Sequence, residues 1–156
     1  MKTATVKELK EELNHLSQSE LVELCLRLSR FKKENKELLT YLLYEASNET
    51  GYIEGIKAEI ALQFTEINTD SYYYIKKSVR KILRRVKTYI RYSKIKETEV
   101  ELLLYFCSEL KKMQPSIAHN VTLTNLYNRQ IGLIKKTITS LHEDLQYDYN
   151  LMLDEL

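Results

Sequence analysis

The chain has 156 residues, with only three glycines and one proline, and a formal net charge of +2. So little glycine and proline excludes a β-rich fold with many tight turns, and no apolar run is long enough for a membrane span. The length suits one helical domain over residues 1–156 with a core of its own. No apolar signal-peptide segment stands at the N-terminus, so a cytoplasmic protein is expected.

Two capping boxes place the first helices. Residues 5–8 (TVKE) and 17–20 (SQSE) have the spacing at which a hydroxyl and a carboxylate satisfy the free amides of a helix N-terminus. After each box, apolar residues recur every three or four positions, as on one face of a helix. A helical hairpin is therefore predicted here, with Leu24 and Leu28 in the core.

Further helices follow along the chain. A third is predicted to end near Ser47 and a fourth to cover residues 52–67. A third capping box, at residues 98–101 (TEVE), is expected to open the sixth helix. Apolar residues from Tyr127 to Leu145 alternate four and three positions apart, which is the spacing of a heptad seam.

These patterns predict an all-α fold, an antiparallel helical bundle of six or seven helices. The alternative is a short α-solenoid built from helical hairpins. Apolar residues at the inward positions of the predicted helices should form the core: Leu24, Leu28, Ile60, Phe64, Val79, Ile82, Val86, Leu103, Cys107, Ile134 and Ile138.

Residues 70–96 hold most of the positive charge. Ten basic residues and no acidic one lie from Lys76 to Lys96, which leaves 14 basic residues against 22 acidic ones elsewhere. On a helical wheel the apolar residues of this segment occupy one arc and the cations the opposite one. An amphipathic helix is predicted, with Thr69 or Asp70 at its N-cap.

The cationic side of this helix is the candidate binding surface. A line of cations suits a phosphate backbone or a row of carboxylates, and Tyr73 or Tyr92 could stack a nucleic-acid base beside it. Packing at the edge of the core is the better interpretation of Tyr72 and Tyr89. The residues expected to bind an anionic partner are Lys77, Arg80, Lys81, Arg84, Lys87, Arg91 and Tyr73.

No motif for catalysis stands out. The chain has no glycine-rich phosphate loop, no HExxH and no CxxC. Cys25 and Cys107 lie within apolar helical patterns and are interpreted as free, buried thiols of a reducing compartment. The three histidines are widely spaced and are interpreted as surface residues. We therefore expect no catalytic residue, no metal and no cofactor.

Three stretches carry a resemblance: KELKEELNHLSQSELVELCLRLSRFKKENKELLTYLL, YIRYSKIKETEVELLLYFC and TSLHEDLQYDY. They resemble a group of small, uncharacterised, all-helical bacterial cytoplasmic proteins, over nearly the whole chain. The resemblance implies a helical bacterial protein and assigns no functional residue.

The expected function is that of a non-enzymatic helical interaction or adaptor protein, with the basic helix as its anionic-partner surface. A protein partner is expected and a membrane is not. The alternative is a nucleic-acid-binding protein that uses the same helix. The tail from Glu143 to Leu156 contains acidic residues and no lysine or arginine, and it is expected to pack beside one end of the basic helix and neutralise part of its charge.

Overall fold

All 156 residues are described by the computed structural model, and every regular element is helical. The all-α prediction is confirmed, with eight helices rather than six or seven. A π-helical segment, Tyr41–Glu45, follows the third helix, and a 3-10 turn, Ile117–His119, precedes the seventh. The helices are α1 (Val6–Asn14), α2 (Gln18–Phe31), α3 (Lys33–Thr40), α4 (Glu49–Thr65), α5 (Tyr72–Ser93), α6 (Lys96–Lys112), α7 (Val121–Ile138) and α8 (Glu143–Asp154).

The chain divides into two compact units, Met1–Tyr44 and Glu45–Leu156. The single domain over residues 1–156 stays a prediction. No helix is both long enough and apolar enough to cross a membrane.

The first unit contains α1, α2 and α3, and its first two N-termini form as predicted. The backbone amide of Thr5 donates to the Glu8 carboxylate at 2.7 Å, and the amide of Glu8 donates back to the Thr5 hydroxyl at 3.3 Å. Ser17 and Glu20 repeat this reciprocal arrangement at the start of α2. Local capping therefore fixes where both helices begin.

The core predicted for this unit is wrong. Leu24 and Leu28 are exposed, and Tyr41 is the one buried residue among the first 44. The apolar stripe on α2 is real, but within this unit α3 covers too little of it to exclude water. Apolar periodicity identifies the face of a helix and not the element that covers it.

The second unit is built around α6, which packs against α4, α5, α7 and α8. Its apolar residues include Leu102, Leu103, Phe106 and Cys107, which are fully buried. Phe64 is half-buried, and its ring centroid lies 5.7 Å from that of Phe106. The other core predictions in this unit are confirmed: Ile60, Val79, Ile82, Val86, Leu103, Cys107, Ile134 and Ile138 are buried.

Two predicted N-termini are wrong. The N-cap of α5 is Ser71 instead of Thr69 or Asp70, and its side chain makes no capping hydrogen bond. The sixth helix begins at Lys96, so Thr98 lies inside its first turn and is buried. The Thr98 hydroxyl donates to the Glu49 carboxylate at 2.5 Å, which ties the start of α6 to the start of α4. A tertiary contact has replaced the expected cap.

The predicted heptad helix is two helices. The seventh ends at Ile138, and the hydroxyls of Thr139 and Ser140 donate to carbonyl oxygens of its last turn, each at 2.7 Å. The side chain of His142 then caps the eighth helix. Short polar side chains bonded to the backbone compete with helix continuation, so the chain turns without glycine or proline.

Candidate anionic-partner surface

Helix α5 turns one side to the core and the other to solvent. Ile75, Val79 and Val86 are completely buried, because apolar residues recur every three or four positions along its 22 residues. The predicted cations all lie on the exposed side: Lys77, Arg80, Lys81, Arg84, Lys87 and Arg91. We call these six side chains the basic stripe.

Four members of the basic stripe line one shallow groove of about 440 Å³. Arg80, Arg84, Lys87 and Arg91 contribute its charge, while Leu83 and Thr88 complete the lining. At a rise of 1.5 Å per residue, the four cations extend over roughly 16 Å of helix. The other predicted site residues, Lys77, Lys81 and Tyr73, are not part of this groove.

The basic stripe is not neutralised within the chain. No carboxylate lies within salt-bridge distance of any of its six side chains. Within the stripe, Nη2 of Arg91 donates a long hydrogen bond of 3.5 Å to the hydroxyl of Thr88. The positive charges therefore remain available to an external anion.

Arg85 has a different position from its neighbours, and it is not among the residues predicted to bind an anionic partner. Its Nε lies 3.9 Å from Oε1 of Glu59, and its guanidinium carbon lies 4.4 Å from the centroid of the Tyr89 ring. Both contacts hold it against the core side of α5. On a helical wheel of α5, Arg85 falls at the edge of the cationic arc, and this position separates it from the basic stripe.

The tyrosines of α5 also differ in exposure, with some packed against the core and others facing solvent. Tyr89 and Tyr92 are buried, so Tyr92 is not available to stack a base, and the Tyr72 hydroxyl donates to the carbonyl of Ser116 at 2.8 Å. Tyr73 is 68% exposed, and its ring packs edge-on against Tyr74 with 5.4 Å between centroids. Only the first turn of α5 thus presents aromatic rings to solvent.

The acidic tail does not neutralise the stripe, so the predicted charge pairing is wrong. The tail forms α8, which packs on α6 and α7, and none of its carboxylates forms a salt bridge with α5. Because α8 begins at Glu143, the carboxylates of Glu143 and Asp144 lie at a helix N-terminus. The helix dipole favours negative charge there, which reverses the expectation from an unbroken heptad helix.

The cysteines differ from each other. Cys107 is fully buried, and burial raises the pKa of its thiol to about 12, so it is protonated at neutral pH. Cys25 is exposed, which corrects its predicted burial. No group of three or more histidine, cysteine or acidic side chains is arranged to hold a metal ion.

Comparison with protein-family models, with curated proteins and with solved structures found no match. The resemblance to small helical bacterial proteins stays a prediction.

Proposed function

We propose that this protein is a non-enzymatic helical interaction protein that holds an acidic segment of a protein partner on the basic stripe of α5. One observation carries the proposal: six exposed cations lie on one helix face with no internal counter-charge, and four of them line a single groove.

Charge alone gives such a surface modest affinity. An exposed ion pair contributes about 0–1 kcal/mol, so several contacts must act together, and their summed field steers an acidic partner into place. The groove also offers apolar contact, because Leu83 lies among the cations and arginine side chains have long aliphatic stems. An acidic segment with some apolar residues matches this mixed lining.

The order of the cations indicates the form of that segment. Arg80, Arg84, Lys87 and Arg91 follow one another at intervals of four, three and four residues. Carboxylates at the same intervals on a second helix lie along one face, with a similar rise per step. The partner class proposed is therefore an acidic amphipathic helix laid along α5.

A nucleic acid is the second candidate. The same stripe could follow a phosphate backbone, and the exposed Tyr73 could stack a base near its N-terminal end. The burial of Tyr92 removes the other tyrosine that was expected to stack a base. A protein partner is therefore preferred.

The scaffold assumed in this proposal is an antiparallel bundle, with a short α-solenoid as the alternative. The setting assumed is a bacterial cytoplasm.

The test compares two charge reversals of equal size. Arg80→Glu/Arg84→Glu removes the centre of the groove, whereas Lys135→Glu/Lys136→Glu reverses two exposed lysines of α7 that form no salt bridge. Binding of a labelled acidic helical peptide is measured by anisotropy over a range of salt concentrations. The arginine variant should lose about tenfold or more in affinity, and the lysine variant should remain close to the original protein.

A mixed-sequence single-stranded oligonucleotide of equal charge is the second probe. If it binds in place of the peptide and Tyr73→Ala weakens that binding, the nucleic-acid candidate replaces the first. If both charge reversals affect both probes equally, the stripe is not a binding site. Unchanged helical circular dichroism in each variant keeps these outcomes separate from misfolding.

A further inference from the structure

The first unit has an apolar surface that its own three helices leave exposed. Its helices contain exposed leucine, valine and phenylalanine side chains on α1, α2 and α3, and Phe31 at the end of α2 is 77% exposed. Apolar exposure on this scale marks an interaction surface on a folded protein. On α2 the exposed apolar residues are Val22, Leu24, Leu26, Leu28 and Phe31.

Part of this surface is a groove between α2 and α3. It has a volume of about 350 Å³, and its apolar lining includes Leu28, Leu38, Leu39 and Leu42. The side-chain amide of Asn35 donates to the carbonyl of Leu28 at 2.9 Å, which fixes the turn between the two helices. The groove is thus a feature of two connected helices and not of one mobile side chain.

The charges around this surface are divided between its two ends. Residues 8–23 contain five glutamates and one lysine, and residues 27–36 contain five basic residues and one glutamate. The first segment therefore carries a net −4 and the second a net +4. Glu23 and Arg27 are one helical turn apart but form no salt bridge with each other. Cys25 lies midway between the two segments.

We propose that this surface is the interface of a homodimer in which two copies of α2 pack antiparallel. A two-fold axis near Cys25 places Glu20 and Glu23 of each α2 beside Arg30 and Arg27 of the other, twice in one interface. Parallel packing would place like charges together. Two-fold symmetry uses the same patch on both chains. It covers Leu24, Leu28 and Phe31, which share one side of α2, together with the neighbouring groove.

Charge also decides against other occupants. A uniformly acidic helix would be repelled by residues 8–23, and a uniformly basic one by residues 27–36. A matching partner needs an apolar face, a negative end that meets the basic end of this surface, and a positive end that meets its acidic end. A second copy of this chain meets all three requirements.

The first experiment separates the two ends of the interface. Glu23→Lys reverses the acidic partner of the pair nearest the axis, and Arg27→Glu reverses its basic partner. Each variant alone should lose both charge contacts of the dimer. A mixture of the two restores both of them, since positions 23 and 27 of one chain then face the opposite charge on the other chain.

Mass is measured by light scattering after size exclusion, and self-association by analytical ultracentrifugation. The original protein should be a dimer. Each variant alone should have a dimer dissociation constant at least about tenfold higher. The mixture should form heterodimers with a lower dissociation constant than the homodimer of either variant. A monomeric original protein at high micromolar concentration overturns the proposal. So does a mixture that associates no better than its components while all chains retain their helical circular dichroism.

The second experiment locates the axis. Cys107 is buried and Cys25 is exposed, so a short bismaleimide reacts with the native chain only at Cys25. A product of twice the chain mass should form and should disappear in Cys25→Ser. A dimer that gives no such product has its axis elsewhere, which overturns the proposed arrangement about Cys25.

Discussion

The hydroxyl of Tyr89 on α5 donates a hydrogen bond to the carboxylate of Glu59 on α4, with 2.6 Å between Oη and Oε2. The Arg85 guanidinium lies over the same tyrosine ring and beside the other oxygen of that carboxylate. The hydroxyl of Tyr52 donates to the Tyr89 backbone carbonyl at 3.0 Å. These contacts fix the rotation of α5 about its axis, so the basic stripe faces solvent.

The variant Tyr89→Phe tests the energy of this arrangement. It keeps the ring and removes one hydrogen bond to a charged group, which should lower the free energy of unfolding by about 1.5–3 kcal/mol. Urea denaturation followed by circular dichroism measures the change. Tyr73→Phe is the matched control, because the Tyr73 hydroxyl forms no hydrogen bond within the chain, and it should change stability by less than about 0.5 kcal/mol. Equal losses in the two variants would contradict the role of Glu59.

Alkaline pH should destabilise the second unit. Burial raises the pKa of Tyr89, and the neighbouring Glu59 carboxylate raises it further. Burial likewise raises the pKa of Tyr149, with Glu101 adding to the effect. Both phenols therefore have a higher pKa in the folded chain than in the unfolded one, where it is about 10. Their stabilising contribution is complete below that pH and is lost as the pH rises through the folded pKa values.

The measurement is urea denaturation at a series of pH values. Stability should fall gently from about pH 8.5, because the unfolded chain releases the proton of the buried Cys107 thiol first. It should fall more steeply above about pH 10, where the unfolded chain also releases the protons of the two phenols. In Tyr89→Phe/Tyr149→Phe the fall should be shallower. An unchanged slope in that variant would show that other groups cause it.

Truncation after Leu145 should weaken the fold without changing the basic stripe. It removes Tyr149, whose hydroxyl donates to Oε1 of Glu101 at 3.1 Å, together with most of α8. Thermal melting should occur at a lower temperature, while affinity for a polyanion at low salt should stay the same. A shorter truncation, after Leu153, removes Asp154, Glu155 and Leu156 but keeps Tyr149, and it should cost far less stability. Stronger polyanion binding after the long truncation would mean that the tail does compete for the stripe.

Lys94→Gly should stabilise the protein. Lys94 follows the last residue of α5 in the left-handed backbone region, with φ of 58°, and its amide donates to the carbonyl of Ile90 at 2.9 Å. A side chain in this region costs about 1–2 kcal/mol that glycine does not incur. The free energy of unfolding, measured by urea denaturation, should rise by about 1 kcal/mol. The rise is smaller than the full cost of the strained residue, because glycine loses more conformational entropy on folding. Lys96→Gly, at the first residue of α6, is the control and should give no gain.

Local sequence predicted those features that local forces determine. The exposure of the six cations follows from helical periodicity within α5, and the first two capping boxes need only residues three positions apart. The exposure of Leu24 and Leu28 could not be predicted, because burial depends on whether a distant element covers an apolar face. Residues 98–101 have the pattern of an N-cap, but the hydroxyl of Thr98 donates its hydrogen bond to Glu49, which is remote in sequence. The break after Ile138 depends on hydroxyl-to-carbonyl bonds that many uninterrupted helices also contain.

The helices α1, α2 and α3 contain no buried side chain, and this has a consequence for the lifetime of the chain. Segments with few buried contacts open locally at a small cost in free energy, and proteases cleave such opened segments at a rate set by the population of the open form. An unassembled copy therefore offers residues 1–44 as its first cleavage site. In the dimer proposed above α2 is covered, so we expect such cleavage to act mainly on chains that have no partner.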